Sequence, residues 1–146
     1  MKMVPLLFLD TNVILDFILR RPGWEDVARI IDLAKRHEVR AYCSYLSMAD
    51  IAYIARKGNA PDMVRTIIGS ITSWCEVLAP SSMDIHAATR MNHPDFEDAL
   101  QIICAESKPN CIIVTRNVKH FEGYTEQPVI SLGDPRLFGR PAERSC

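Results

Sequence analysis

The sequence predicts an α/β domain on a mainly parallel sheet, and three observations carry that expectation. Short continuous apolar runs, such as residues 5–9 and 111–114, read as strands buried on both faces. Between such runs lie stretches with apolar residues at helical spacing, of which Val27, Ile30, Ile31 and Ala34 are the clearest. Over 146 residues no repeat, linker or low-complexity stretch divides the chain, so residues 1–132 read as one domain.

The first strand, residues 5–9, ends in a polar cluster at Asp10. Residues 11–19 follow as a helix, with Val13 and Phe17, and Ile14 and Ile18, on adjoining faces, until Arg21-Pro22-Gly23 breaks it. The amphipathic helix around Val27 leads to a second strand at 39–43, after which Ser47 opens a helix reaching about Lys57. Gly58-Asn59 is a turn, and Pro61 suits the first turn of a helix running to about Trp74. Residues 76–78 read as a strand, 82–91 and 96–107 as helices, and 111–114 and 129–131 as the last two strands. The stretch 133–146, with Pro135, Gly139 and Pro141, reads as a loose tail.

Composition narrows the function classes. Apolar residues make up 48% and charged residues 24%, which argues against disorder, collagen and coiled coil. The 17 Lys+Arg and 18 Asp+Glu leave a net charge of −1, so a polyanion must be gripped by a local patch. The longest apolar run, residues 3–9, is too short to cross a bilayer. Met1-Lys2 before it faintly resembles a secretion signal, but Asp10 and Asp16 cut the apolar region short, and a cytoplasmic protein is expected. Five cysteines without a Cys-x-x-Cys pair read as buried reduced thiols. The four histidines have no partner at zinc spacing.

In an open parallel sheet, ligands bind beyond the carboxyl ends of the strands. Asp10-Thr11-Asn12, the segment from Ser47 to Asp50, and Thr115-Arg116-Asn117 are therefore the places to inspect. Asp10, Asp50 and Asp98, from distant segments, could converge there and hold a hard cation such as Mg²⁺ or Mn²⁺, which prefers oxygen ligands. Helix capping competes with that reading. Ser47-x-x-Asp50, Asp95-x-x-Asp98, Asn59-x-x-Asp62 and Ser81-x-x-Asp84 all have the spacing of a capping box, in which the acid satisfies backbone donors. Asp10, at a strand end, is the acid that capping explains least.

The order of these segments resembles the PIN-domain family. Phe8-Leu9-Asp10-Thr11-Asn12-Val13-Ile14-Leu15-Asp16 is similar to its first motif and Ser44-Tyr45-Leu46-Ser47-Met48-Ala49-Asp50-Ile51 to its second. Asp95-Phe96-Glu97-Asp98-Ala99-Leu100 is similar to the third, and Ile113-Val114-Thr115-Arg116-Asn117 to the fourth. The resemblance implies a three-layer α/β/α fold with a parallel sheet of about five strands, and a ribonuclease dependent on Mg²⁺ or Mn²⁺. It further implies a VapC-like toxin, paired with an antitoxin protein and forming a homodimer. Carried over by position, Asp10, Asp50 and Asp98 would hold the metal, and Asn117 and Thr115 would orient water or phosphate. Two departures follow: Asp50 stands where the family usually has Glu, and Asn117 where many members have a further acid. A site of three carboxylates should hold its metal less tightly than one of four.

RNA grip is expected from Arg116 and Lys119, after the fourth motif, and from Arg20 and Arg21, at the end of the first helix; a solvated surface charge is the plainer reading of each. Asp16 is read as a helix-surface group, Asp95 as an N-cap, and His93 and His120 as partly exposed side chains near the rim. Phe17, Ile18, Tyr53, Ile54 and Ile67 are expected to leave an exposed apolar patch for the homodimer, although core filling accounts for any one of them. A phosphoaspartyl hydrolase of the haloacid dehalogenase type would need an acid two residues after Asp10, where Asn12 stands. A PIN-like binding module with a decayed metal site is the stronger rival, favoured by Asn117 and opposed by the three intact acids.

Overall fold

The computed structural model describes residues 3–138. Five strands form one sheet: β1 (Leu6–Leu9), β2 (Arg40–Ser44), β3 (Cys75–Leu78), β4 (Ile112–Thr115) and β5 (Val129–Ser131). Their order is β3-β2-β1-β4-β5, and every neighbouring pair is parallel. Parallel pairing requires a crossover after each strand. These are α1 (Thr11–Ile18) with α2 (Trp24–Lys35), α3 (Tyr45–Ala55) with α4 (Pro61–Thr72), α5 (Ser82–Arg90) with α6 (Phe96–Glu106), and the single turn α7 (Val118–Phe121).

Strand alternation splits the core into two layers. Leu7, Leu9, Ala41, Cys43 and Val114 face α1 to α4 on one side, whereas Phe8, Tyr42 and Ile113 meet Ile102, Ala105 and Phe121 on the other. The chain winds outward from β1 through β2 to β3, then returns to place β4 on the other side of β1. Crossovers in such sheets are right-handed, so this reversal carries the later helices to the opposite face. It also leaves a crevice beyond the carboxyl ends of β1 and β4, the switch point where α/β sheets bind ligands.

Several local expectations are corrected. The third helix starts at Tyr45, because β2 continues to Ser44, paired with Leu78. Ser44, not Ser47, then caps α3 by accepting the Leu46 N–H at 2.9 Å. Pro135–Phe138, within the expected loose tail, forms a 3₁₀ turn with Leu137 buried and Phe138 packed on the core. The remainder of that tail, residues 139–146, and the Met1-Lys2 start lie outside the described residues. Of the five residues expected in an apolar patch, Phe17, Ile18, Ile54 and Ile67 pack against the core; Tyr53 is the exposed one. Cys43, Cys75, Cys104 and Cys111 are buried free thiols. Among the described residues no helix is long and apolar enough to cross a membrane.

Candidate active site

Asp10 stands at the switch point. Its backbone N–H still donates to the Val114 carbonyl at 3.1 Å, holding it at the end of β1 beside β4. Its side chain does cap a helix after all: one carboxylate oxygen accepts the Thr11 N–H at 2.8 Å, at the start of α1. The other accepts the Thr115 hydroxyl at 3.0 Å. Thr115 is the last residue of β4 rather than the first after it, and its oxygen also accepts the Asn117 N–H at 3.0 Å. Asp10 is 6% exposed. Burial pushes its pKa from the ordinary 3.8 to about 6, and the negative charge of Asp98 adds to the rise. The Thr115 and Thr11 hydrogen bonds and His120 oppose it.

Asp98 approaches from α6. Asp95 caps that helix by accepting the Asp98 N–H at 2.9 Å, but the reciprocal half of a capping box is missing, since the Asp95 N–H donates to His93 Nδ1. The Asp98 carboxylate is thereby released toward the site, where it lies 3.2 Å from His120 Nδ1. Burial first, and then Asp95, raise its pKa; His120 and His93 act the other way. With Nδ1 accepting, the His93 proton sits on Nε2, which bonds the His120 carbonyl. His120 is thus fixed through both its backbone and its ring.

Asp50 is the sixth residue of α3, not part of its first turn, and the Ser47–Asp50 capping box does not form. Asp50 meets Glu97, the residue before Asp98. The Asp50 carboxyl, followed by burial and the charges of Asp95 and Asp98, raises the Glu97 pKa to about 7. Glu97 is the acid that the sequence reading passed over. Of the four capping-box spacings, Ser81–Asp84 alone forms in both directions. Ala60 stands at the cap of α4, and Asn59 donates to the Ala55 carbonyl instead.

The basic residues divide. Arg116 turns to the flank and places a guanidinium nitrogen 2.9 Å from Asp16. Asp16 is fully buried, not on a helix surface, and Arg21 lies 3.8 Å from the same oxygen. Arg21 gets there because α1 ends in a Schellman turn: Arg20 takes φ 54° and the Arg21 N–H returns to the Asp16 carbonyl at 2.9 Å. Arg20 is occupied by aromatic rings, 5.0 Å from Phe17 and 4.3 Å from Trp24. Lys119 is exposed on α7, and Asn117 is exposed at its start without capping it.

Asp10, Asp98 and His120 therefore form one group and Asp50 and Glu97 another, joined through the adjacent Glu97 and Asp98. The carboxylates are hard oxygen donors, the chemistry that Mg²⁺ or Mn²⁺ takes, and the imidazole of His120 stands beside them rather than adding to that set. Among the described residues no three His, Cys, Asp or Glu side chains already surround one cation position.

The family model described as "PIN domain" matches residues 7–119. The fold is similar to VapBC2 from Rickettsia felis bound to a promoter DNA fragment (18% identity, TM-score 0.66, covering 86% of this chain and 98% of that one). It is similar also to DNA-bound VapBC from Salmonella typhimurium (22%, 0.67, 89% and 99%) and to a toxin-antitoxin complex from Klebsiella pneumoniae (19%, 0.64, 86% and 97%). No curated protein sequence matches. The four motifs fall on the carboxyl ends of β1 and β4 and on α3 and α6, and the matched segment contains all of them; the chain belongs to the PIN domain family.

Proposed function

We propose that this pole of the sheet is a divalent-cation-dependent nuclease site that hydrolyses RNA. The carrying observation is Asp10: a buried carboxylate at the switch point, gripped by Thr115, with Asp98 rather than a guanidinium as its charged neighbour. Asp10, Asp98 and Asp50 would hold Mg²⁺ or Mn²⁺. The ion, when bound, supplies charge relief for the phosphodiester and acidity for the attacking water. Thr115 fixes the Asp10 rotamer, and Asn117 offers an uncharged amide at the rim. Glu97, with a pKa near neutrality, is suited to take up a proton beside Asp50. Arg116, Arg21 and Lys119 would contact phosphates of the RNA strand, whereas the stacked Arg20 guanidinium is the weakest candidate.

Because structurally similar chains occur in VapBC and toxin-antitoxin complexes, we assign this chain the toxin role, with an antitoxin protein as partner and the cytoplasm as its place of action. A homodimer remains part of the reading; Tyr45, Tyr53 and Phe96 are the exposed aromatics that could serve it. Sedimentation at the 16.5 kDa monomer mass across the micromolar range would remove the homodimer. The test of function is cleavage of single-stranded or looped RNA. Activity with Mg²⁺ or Mn²⁺, abolished by chelator and by Asp10→Asn at matched folding, supports the reading. RNA binding without cleavage in the wild type would favour the binding-module alternative, to which the neutral Asn117 points.

A further inference from the structure

Beneath the carboxylates, three polar side chains from three helices are shut away from solvent. Thr11, Ser47 and Gln101 are 8%, 0% and 1% exposed. The Thr11 and Ser47 hydroxyl oxygens are 2.7 Å apart, and the single Gln101 amide nitrogen donates to both, at 2.9 Å and 3.1 Å. Each member sits in fixed relation to an acid. Thr11 directly follows Asp10, Ser47 lies one helical turn before Asp50, and Gln101 lies one turn after Asp98. Residues three apart share a helix face, so the side chains that meet below determine where the acids emerge above.

Burying polar groups is unfavourable unless each is hydrogen-bonded, and an apolar trio would fill this space without that demand. The demand is not even fully met, because the Gln101 carbonyl oxygen is buried without a partner among the described residues. What the amide adds over an apolar side chain is direction. Its two N–H groups lie in one plane, so one side chain sets the spacing of α6 from α1 and from α3 together.

We propose that Gln101, acting through Ser47 and Thr11, is a positioning residue that holds Asp10, Asp50 and Asp98 in register for the cation. This inference rests on the nuclease reading for its purpose, not for its geometry. Gln101→Leu keeps the bulk and removes both donors; Ser47→Ala and Thr11→Val remove one hydroxyl each, and Thr11→Ser restores one. The test measures Mn²⁺ affinity by calorimetry, RNA cleavage, thermal unfolding, and the crystal structure of Gln101→Leu. The proposal expects cooperative unfolding to persist and Mn²⁺ to bind about tenfold more weakly, the scale seen when the residues that orient metal ligands are removed. It expects kcat to fall by a similar factor with KM for RNA unchanged, Gln101→Leu/Ser47→Ala to be no worse than Gln101→Leu, and Thr11→Ser to bind Mn²⁺ better than Thr11→Val. In the crystal, the separations among the three carboxylates should change by more than about 0.5 Å while the sheet superposes. Unchanged separations, or wild-type Mn²⁺ affinity and kcat with only a lowered melting temperature, would overturn it. A wild type that neither binds Mn²⁺ nor cuts RNA would remove the nuclease reading instead, and the crystal comparison would still decide whether Gln101 sets the separations.

Discussion

Asp10 and Asp16 stand at the two ends of one short helix, both buried, and differ in the charge that answers each. Asp16 has two guanidinium groups, Arg116 at 2.9 Å and Arg21 at 3.8 Å. Asp10 has hydrogen bonds from Thr11 and Thr115, another carboxylate as neighbour and, among the described residues, the imidazole of His120 on the opposing side. Burial raises the pKa of both, but at Asp16 the protein supplies the opposing charge itself. At Asp10 the negative charge is left for something else to neutralise. One buried acid thus receives its countercharge from the fold, although Asp16 Oδ2 has no hydrogen-bond partner among the described residues, and the other does not.

The largest expected effect breaks the comparison directly. A bound divalent cation contributes several kcal/mol of transition-state charge stabilisation, about a thousandfold in rate. Asp10→Asn and Asp98→Asn should each lower kcat for RNA cleavage on that scale, whereas Asp16→Asn should lower it only a few-fold. Steady-state kinetics at saturating Mn²⁺ reads the difference, and an equal loss for Asp16→Asn would erase the distinction.

The second effect concerns stability against pH. The folded Asp10 pKa of about 6 lies above the ordinary 3.8, so the proton is held more tightly in the folded state. Its contribution to stability is fully present below about pH 4 and is lost as pH rises through 6, about 3 kcal/mol in all. Asp98 and Glu97 are shifted in the same direction. Without metal, the wild type should therefore become less stable from pH 5 to pH 8. Asp10→Asn should flatten that slope and be the more stable protein at pH 8. Denaturant titrations across this range check it, and saturating Mg²⁺ should narrow the gap by binding the folded wild type.

How much of this was legible in the sequence differs by residue. The strands and Asp10 were, because continuous apolar runs ending in a polar cluster are a local pattern. Asp50 was placed too early in its helix because Ser44 and Ser47 are both competent caps. The choice between them is made by β2 running on to pair Ser44 with Leu78, a contact no local pattern records. Asp16 looked like a surface acid because its partner Arg116 is 100 positions away. His120 was left at the rim for the same reason, its contact with Asp98 being made across the fold. Gln101 did leave a signal. It falls on the stripe of α6 that carries Ile102 and Ala105 inward, and a polar residue on an apolar stripe asks for a buried partner.

A third prediction sharpens the Asp16 side. Arg116 is 44% exposed and oriented by Asp16, so under the nuclease reading it would meet RNA phosphate from the flank. Arg116→Ala should weaken RNA binding uniformly across sequences and reduce the slope of log affinity against log salt by about one, with kcat nearly unchanged. Asp16→Asn, which frees rather than removes the guanidinium, should have the smaller effect. Fluorescence anisotropy over a salt series separates the two. The smallest effect is a control that touches neither acid: Ser81→Ala, at the reciprocal Ser81–Asp84 capping box, should cost about 1 kcal/mol of stability and leave cleavage untouched.

The central claim, that the Asp10 pole takes its countercharge from a bound cation and the Asp16 flank takes it from arginine, is tested most directly by Mn²⁺ binding to the protein without RNA. Calorimetric titration at pH 7.5 should give saturable binding to the wild type and to Asp16→Asn, and none to Asp10→Asn. Equal binding to Asp10→Asn and the wild type, or loss of binding in Asp16→Asn alone, would contradict it.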